Sequence, residues 1–537
     1  MLRLTNSHYR RALGRAVLCL SFMFAPLALA AQSVAEGVVF VDANANGLYD
    51  KQEVGLAGIP VSNGDTIVVT NADGRYRLPV KLGESVFPIL PSNYAFSGSR
   101  LIGKGFSYLD YAAAKPTARK RQRKAVTTTI NFALKAKPVA TAFQLNAIGD
   151  IQVSDHQELD YLSRTLWPEL MAGDSSEVNL FLGDLVNNNL TLYPALAEMM
   201  ARLPQTSLTL PGNHDRDVDS IITRQNRTYN RWFGADAYAF NEGQVHFIIL
   251  NNVFGKGARG YEGRISDRQL RFVANDLRLV PADRLVVVCM HIPLAFTANR
   301  AQLIALLGNY PHRLALSGHL HQVARFFPKA GNIVVPELGV GAACGFWWVG
   351  EKDWDGIPSA LQQGGTPRNY FQLHFNGNRY DFRCKAIGED AARQMTLYVT
   401  GIDTLDWHVR DLSDVAPGTL LVTVYGGCDS TVVRCRIDGG PWLTCEKSKA
   451  IEPNVARTRE MDLIGAYPTR YNRRNPMRKR PSRQLWQLTL PPSARSGVHK
   501  VEVTAADAYG LRATGQRMYC FPDTAAALPE GKSSKTY

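Results

Sequence analysis

At 537 residues the chain is too long for one hydrophobic core, and 45% hydrophobic with 20% charged residues excludes a fibrous, low-complexity or wholly disordered protein. A net charge of +14 at pH 7 suits contact with an anionic surface, a lipid headgroup or a polyphosphate. Its two densest runs, Lys115 to Lys124 and Arg470 to Arg483, hold no aromatics apart from Tyr471, so charge alone argues for no specific nucleic-acid platform.

In chain order, Arg3, Arg10, Arg11 and Arg15 precede an apolar run from Ala16 to Leu29, then Ala28-Leu29-Ala30-Ala31. This is the pattern of a signal peptide over residues 1–31, shorter than the ~20 apolar residues that span a bilayer. The mature chain is expected to be periplasmic or secreted, without a transmembrane segment, where disulfides can form. Cys428, Cys435, Cys445 and Cys520 allow up to two bridges, with the pairing open. Cys289, inside Leu285-Val286-Val287-Val288-Cys289, is expected to be a buried thiol.

Residues 36–137 are expected to form a β-sandwich. Gly37 to Val41 reads as a strand, and Ile67 to Thr70 with Arg75 to Leu78 as a hairpin about Asn71-Ala72-Asp73-Gly74. Between them, Asp42 to Glu53 places oxygen side chains at loop positions 1, 3, 5, 9 and 12, with glycine at position 6. A twelve-residue calcium loop needs this spacing. Asp42, Asn44, Asn46 and Glu53 are expected to ligate by side chain, Leu48 by its carbonyl and Asp50 through water. The stretch from Glu36 to Val80 resembles the calcium-stapled β-sandwich repeats of bacterial surface proteins, and the ion's expected role is structural.

From residue 140 to 388 the pattern changes to strand, polar loop, helix. Phe143 to Ile148 ends at Gly149-Asp150-Ile151-Gln152. Val178 to Leu182 ends at Gly183-Asp184, followed by Asn187. Ser207 to Leu210 ends at Pro211-Gly212-Asn213-His214-Asp215. Leu285 to Cys289 ends at Met290-His291. Leu314 to Leu316 ends at Ser317-Gly318-His319-Leu320-His321. Helices are expected over Gln157–Met171, Tyr193–Arg202 and Arg268–Leu279, the last behind a Ser266/Gln269 capping box. In open α/β sheets, sites form at strand ends. One such ending is weak evidence; five in one domain offer Asp150, Gln152, Asp184, Asn213, His291, His319 and His321. Carboxylate, amide and imidazole without thiolate suit two divalent ions such as Mn, Fe or Zn.

This ordered set resembles the calcineurin-like metallophosphoesterase family over about Ala142 to Lys385. The resemblance implies a mixed α/β architecture, a four-layer αββα sandwich, and hydrolysis of phosphoric mono- or diesters by a metal-bridging hydroxide. It implies that Asp150, Gln152, Asp184 and His321 hold one ion, that Asp184 bridges, and that Asn213, His291 and His319 complete the second. His214 is then expected to contact phosphate or protonate the leaving oxygen, oriented by Asp215. Gln152 departs from the family's usual histidine, and Asn187 from its frequent acid. Gln152 keeps open a rival reading, a catalytically decayed scaffold that binds a cell-surface ligand; intact Asp184, Asn213, His291, His319 and His321 argue against it. The loop Gly339 to Trp348 and on to Pro358, aromatic and glycine-rich, is expected to edge the site or to pack between domains.

Residues 393–522 read as a second all-β sandwich, resembling the C-terminal domain of an exported subset of the same family. The tail 523–537 is expected to be flexible.

Overall fold

The structure is a computed structural model that describes residues 33–110, 126–173, 177–218, 221–257, 260–403, 415–466 and 477–521. The expected signal peptide, the Lys115–Lys124 run, residues 470–476 of the second basic run and the tail 523–537 lie outside the described residues.

Two sheets face each other in the central domain. One has the order Thr206–Thr209, Val178–Phe181, Ala142–Ile148, Asn369–Asn376, Arg379–Ala386, with its first three strands parallel. The other runs Tyr238–Glu242, Val245–Ile249, Leu285–Met290, Arg313–Ser317, Glu337–Val340, Val323–Phe326. Their inner faces share one core, with Leu145, Leu180 and Leu208 meeting Phe247, Val288 and Leu316. Leu285–Met290 is buried at every position, as an apolar run enclosed on both faces requires. Helices His156–Met171 and Tyr193–Ala201 cover the outer face of the first sheet through Leu162, Leu166, Leu196 and Met200. Asp267–Leu277 and Arg300–Leu306 join the core beside the second through Phe272, Val273, Leu303 and Ile304. The result is the expected αββα sandwich.

Local chemistry sets the helix starts. The Asp155 carboxylate accepts from the N–H groups of Gln157 (2.9 Å) and Glu158 (3.1 Å), and Ser266 Oγ from Gln269 N (3.3 Å).

Both flanking domains are β-sandwiches. In the first, Arg75–Pro79 pairs with Val34–Val41, while Ile67–Val69 pairs with Pro60–Ser62 in the opposite sheet. The expected hairpin is therefore wrong: the Asn71–Gly74 turn carries the chain between sheets. This domain is fixed to the centre by Arg268–Glu84 (3.0 Å), Arg271–Asp65 (2.9 Å) and the packing of Phe87 on Tyr238 and Phe272.

The C-terminal sandwich pairs sheets of order Met395–Val399, Thr419–Val424, Leu485–Thr489, Glu446–Lys447 and Leu443–Thr444, Val432–Ile437, Gly497–Ala506, Arg512–Phe521. It is not all-β, because a helix, Pro453–Leu463, lies between its strands. That helix is weakly patterned, and its burial is confined to Pro453, Val455 and Ala456 at the first turn. Gln484 ties the domain to the centre, donating to Val323 O (2.9 Å) and accepting from Thr366 Oγ1 (2.8 Å).

Glu452 starts that helix. Its carboxylate accepts from Val455 N (2.9 Å), Thr423 Oγ1 and Asn454 Nδ2 (both 3.2 Å) while only 1% exposed. Burial raises its pKa to about 7 against these bonds. A raised carboxyl pKa means the folded state holds a proton that the unfolded state releases. The associated stability is present below the unfolded value near 4.5 and is lost as pH rises through about 7. Stability is expected to fall over that window, and Glu452→Gln to flatten the fall. Chemical denaturation at pH 5 and pH 8 checks this; an equal fall in both proteins would remove Glu452 as the cause.

Candidate metal centre

The five strand ends converge. Asp150 and Gln152 follow Ala142–Ile148, Asp184 follows Val178–Phe181, Asn213 follows Thr206–Thr209, His291 follows Leu285–Met290, and His319 and His321 follow Arg313–Ser317. The last two strands belong to the second sheet and the first three to the facing one, so the site lies across the mouth between sheets. Ligand-type atoms of Asp184, His291 and His319 all lie within 4.8 Å of one another. His291 Nε2 is 3.3 Å from Asp184 Oδ2, 3.2 Å from Asn213 Oδ1 and 3.2 Å from His319 Nδ1. On the other side His321 Nε2 is 3.3 Å from Asp150 Oδ2.

Backbone contacts aim these groups. His291 Nδ1 is 2.8 Å from Leu182 O and His321 Nδ1 is 2.6 Å from Gly345 O, so each ring presents Nε2 to the centre. The His319 N–H donates to Asp150 Oδ1 and the His214 N–H to Asp184 Oδ1, both at 2.8 Å. Asp150, Gln152, Asp184, His319 and His321 all have positive φ, from 26° to 74°. Each such residue costs about 1–3 kcal/mol, and such strain gathers where a site over-determines its backbone. Gly212 and Gly318 make room for the carboxylates: a Cβ on Gly212 would lie 2.1 Å from Asp184 Oδ1, and one on Gly318 2.5 Å from Asp150 Oδ1.

The residues fit divalent cations. Asp150 Oδ2 is buried with no hydrogen bond among the described residues, only the His321 ring standing 3.3 Å away. Burial opposes charge on Asp184, yet His291 and His214 more than offset it and hold the carboxyl below its usual range. Burial likewise opposes charge on His291, but Asp184 overcomes it and raises the ring to about 9. His319 is lowered to about 4, first by burial and then by His291. The carboxylates thus draw positive charge into a dry site, a demand that a metal ion meets.

Gln152 lies at the end of Ala142–Ile148 with a φ of 33°. Its N–H donates to Asp184 O (2.9 Å), and its side-chain Nε2 lies 3.5 Å from Asn187 Oδ1, so Asn187 supports Gln152 and is itself tied to Ser154 Oγ (3.0 Å). Behind Gln152 stands Cys344, with Sγ 3.9 Å from Gln152 Oε1 and 3.7 Å from His321 Nδ1. Sequence reasoning missed this thiol; it lies far along the chain and in no motif.

Asp215 requires a correction. Its carboxylate accepts from Gly212 N (2.8 Å), Leu185 N (3.1 Å), Val186 N (3.3 Å) and Tyr193 OH (2.9 Å), with no bond to the His214 ring among the described residues. The side chains of adjacent residues diverge here, because Asp215 turns inward to collect unpaired backbone donors. Burial and then the Asp184 charge raise its pKa to about 7. His214 is half-buried, and its Nδ1 has no partner among the described residues.

The loop Asp42–Glu53 is closed on itself. Asp42 accepts from Asn46 N (3.1 Å) and Gly47 N (3.0 Å), and Glu53 from Ala43 N and Asp50 N (both 3.0 Å). The amides of Asn44 and Asn46 donate to Asp50 at 2.8 and 3.0 Å. Leu48 is exposed. Of the C-terminal cysteines, Cys435 and Cys445 adjoin as hydrogen-bonded thiols, Cys428 contacts Ser430 and Asp507, and Cys520 is exposed. Cys289 is buried as expected.

Three family models match the chain: the N-terminal region of calcineurin-like phosphoesterase over residues 37–121, calcineurin-like phosphoesterase over 144–323, and the C-terminal region of calcineurin-like phosphoesterase over 337–512. No curated protein matches the chain in sequence. Among solved structures, a purple acid phosphatase from yellow lupin (Lupinus luteus) seeds is similar at 12% identity and a TM-score of 0.34, over 61% of this chain and 66% of that one. The chain thus spans just under two thirds of that structure.

Proposed function

This chain belongs to the calcineurin-like phosphoesterase family, and from that premise we propose that it is a metal-dependent phosphoesterase: an exported, periplasmic or secreted hydrolase that holds two divalent ions and cleaves phosphoric mono- or diesters. The observation that carries the reading is the convergence of seven oxygen and nitrogen ligands from five strand ends, with Asp184 among them beside His291. Asp150, Gln152, Asp184 and His321 would hold one ion, and Asp184, Asn213, His291 and His319 the other. Mn, Fe or Zn suits these donors, the amide of Gln152 making the first set harder. The ions, when bound, supply charge that acidifies water and offsets charge gathering on the phosphoryl oxygens.

The protein's own groups do the rest. The His214 N–H fixes the Asp184 carboxylate. The His214 ring, half-buried beside Asn213, is the group we assign to the ester: it hydrogen-bonds the phosphoryl oxygens or gives its proton to the leaving oxygen. Asp215 acts on the loops rather than on His214. The exposed strip Arg478-Lys479-Arg480 is fastened by Gln363, which bonds Arg478 N (2.8 Å) and donates to His321 O (3.2 Å). It offers positive charge near the site to an anionic substrate or surface.

The test is hydrolysis of aryl mono- and diesters by metal-stripped protein restored with Mn, Fe or Zn. Turnover that returns with metal supports the reading. A folded, metal-replete protein with no turnover on any ester would favour the rival, a binding scaffold.

We also propose that Asp42–Glu53 holds a structural calcium through Asp42, Asn44, Asn46, Leu48, Asp50 and Glu53. At calcium 100-fold above Kd the ion would add about 2.7 kcal/mol. Calcium is expected to raise Tm by several degrees and chelator to reverse it. Glu53→Ala is expected to remove that response while hydrolysis persists. A wild-type Tm indifferent to calcium would refute the site.

A further inference from the structure

Two aromatic side chains lie against the paired histidines, one on each ring. Tyr261, 38% exposed, meets the His319 ring edge-on with centroids 6.1 Å apart. Trp347, half-buried, lies over the His321 ring at 4.4 Å and 31°. The two are on unrelated segments, Tyr261 in the hairpin Val253–Lys256/Gly260–Gly263 and Trp347 in the glycine-rich loop after Glu337–Val340.

Each is held by its own neighbours. The Arg216 guanidinium lies 5.2 Å over the Tyr261 ring and is itself braced by Asn213 O (3.0 Å) and Gly260 O (3.2 Å). Trp347 leans on Phe346 at 4.7 Å. Phe346 packs with Ile451, Val455, Ala456 and Met477 of the C-terminal domain. That domain therefore props a wall of the metal site. The loop does not need Trp347 as its anchor, since Trp348 fills that role: its Nε1 donates to Ile151 O (3.2 Å) and its ring packs on Tyr161. Trp347 nevertheless keeps a φ of +55° and is only half-buried. A large apolar side chain held in strained backbone and left half in water points to a ligand.

We propose that Tyr261 and Trp347 are specificity-determining residues that bracket the alcohol part of the ester, so that the preferred substrate class carries a flat aromatic or heteroaromatic ring next to the scissile phosphate. This rests on the phosphoesterase reading. Stacking of a flat ring on such side chains is lost roughly 10- to 100-fold on alanine substitution.

The test uses Mn-loaded full-length protein and two phosphonates that are not hydrolysed, phenylphosphonate and methylphosphonate, titrated calorimetrically. Wild type is expected to bind the phenyl compound more tightly. Trp347→Ala and Tyr261→Ala are each expected to weaken it about 10-fold or more, with methylphosphonate binding and Mn content unchanged, while Trp347→Phe retains most of the preference. Equal affinity of wild type for the two probes overturns the proposal. So does a Trp347→Ala protein that loses Mn, since Trp347 would then only position His321. Because binding is read without turnover, a wild type that prefers phenylphosphonate yet hydrolyses no ester would refute the phosphoesterase reading and leave the bracket standing.

Discussion

Replacing His214 by alanine is expected to lower kcat/KM by about 10²–10⁴-fold, the range for loss of a positioned proton donor. Metal content should survive. The His214 backbone N–H, which bonds Asp184 Oδ1 at 2.8 Å, remains after the substitution, and the ring makes no bond to any of the seven ligands' side chains. The size of the loss should follow the leaving group. An activated phenol departs without help, so the variant should be impaired less on its ester than on an alkyl ester. Metal analysis beside kcat/KM for two esters differing in leaving-group pKa decides it. Equal losses on both would mean the ring stabilises the phosphoryl oxygens; wild-type rates on both, with metal intact, would end its assignment.

What could be read in the sequence was whatever depends on local order. Five strands each ending in a polar ligand reveal both the sheets and the centre, because a strand end places the next side chain at the sheet margin whatever surrounds it. The ring of His319 lies beside His291, and the side chain of Gln152 beside Asn187 and Cys344. What depends on distant contact was hidden. Nothing near Cys344 announces that its thiol backs Gln152, since 192 residues separate them. Trp347 and Phe346 look like ordinary packing until the C-terminal helix is seen behind them. That helix was missed because its few apolar residues form no marked helical stripe. The hairpin about Asn71–Gly74 failed for a similar reason: the turn is present, but register and sheet partner are chosen by Val34–Val41 and Pro60–Ser62. Asp215 shows the limit most clearly, because adjacency to His214 in sequence suggested a partnership that the backbone forbids.

Asp215→Ala is expected to damage the whole site rather than one chemical step. The carboxylate joins the loop after Val178–Phe181 to the loop after Thr206–Thr209, taking N–H groups from Leu185, Val186 and Gly212 and the hydroxyl of Tyr193. Removal leaves these donors buried, at roughly 1–3 kcal/mol for each that water cannot reach. Asp184 belongs to the first of these loops, and Gly212 of the second lies against its carboxylate, so the proposed ligand sets lose their geometry. Metal affinity should fall about 10–100-fold or more, as when supporting partners of metal ligands are removed, and Tm and hydrolysis should fall with it. Asp215→Asn tests the same account with nearly the same shape: its amide offers one acceptor where the loops need several, and turns N–H towards N–H. It should therefore resemble the alanine variant and not wild type. Equilibrium dialysis with Mn, thermal unfolding and kcat/KM on the two esters distinguish the roles. If Asp215→Ala kept its metal and its Tm but reproduced the leaving-group dependence of His214→Ala, Asp215 would be acting through His214 after all, and the inward-facing role would be wrong.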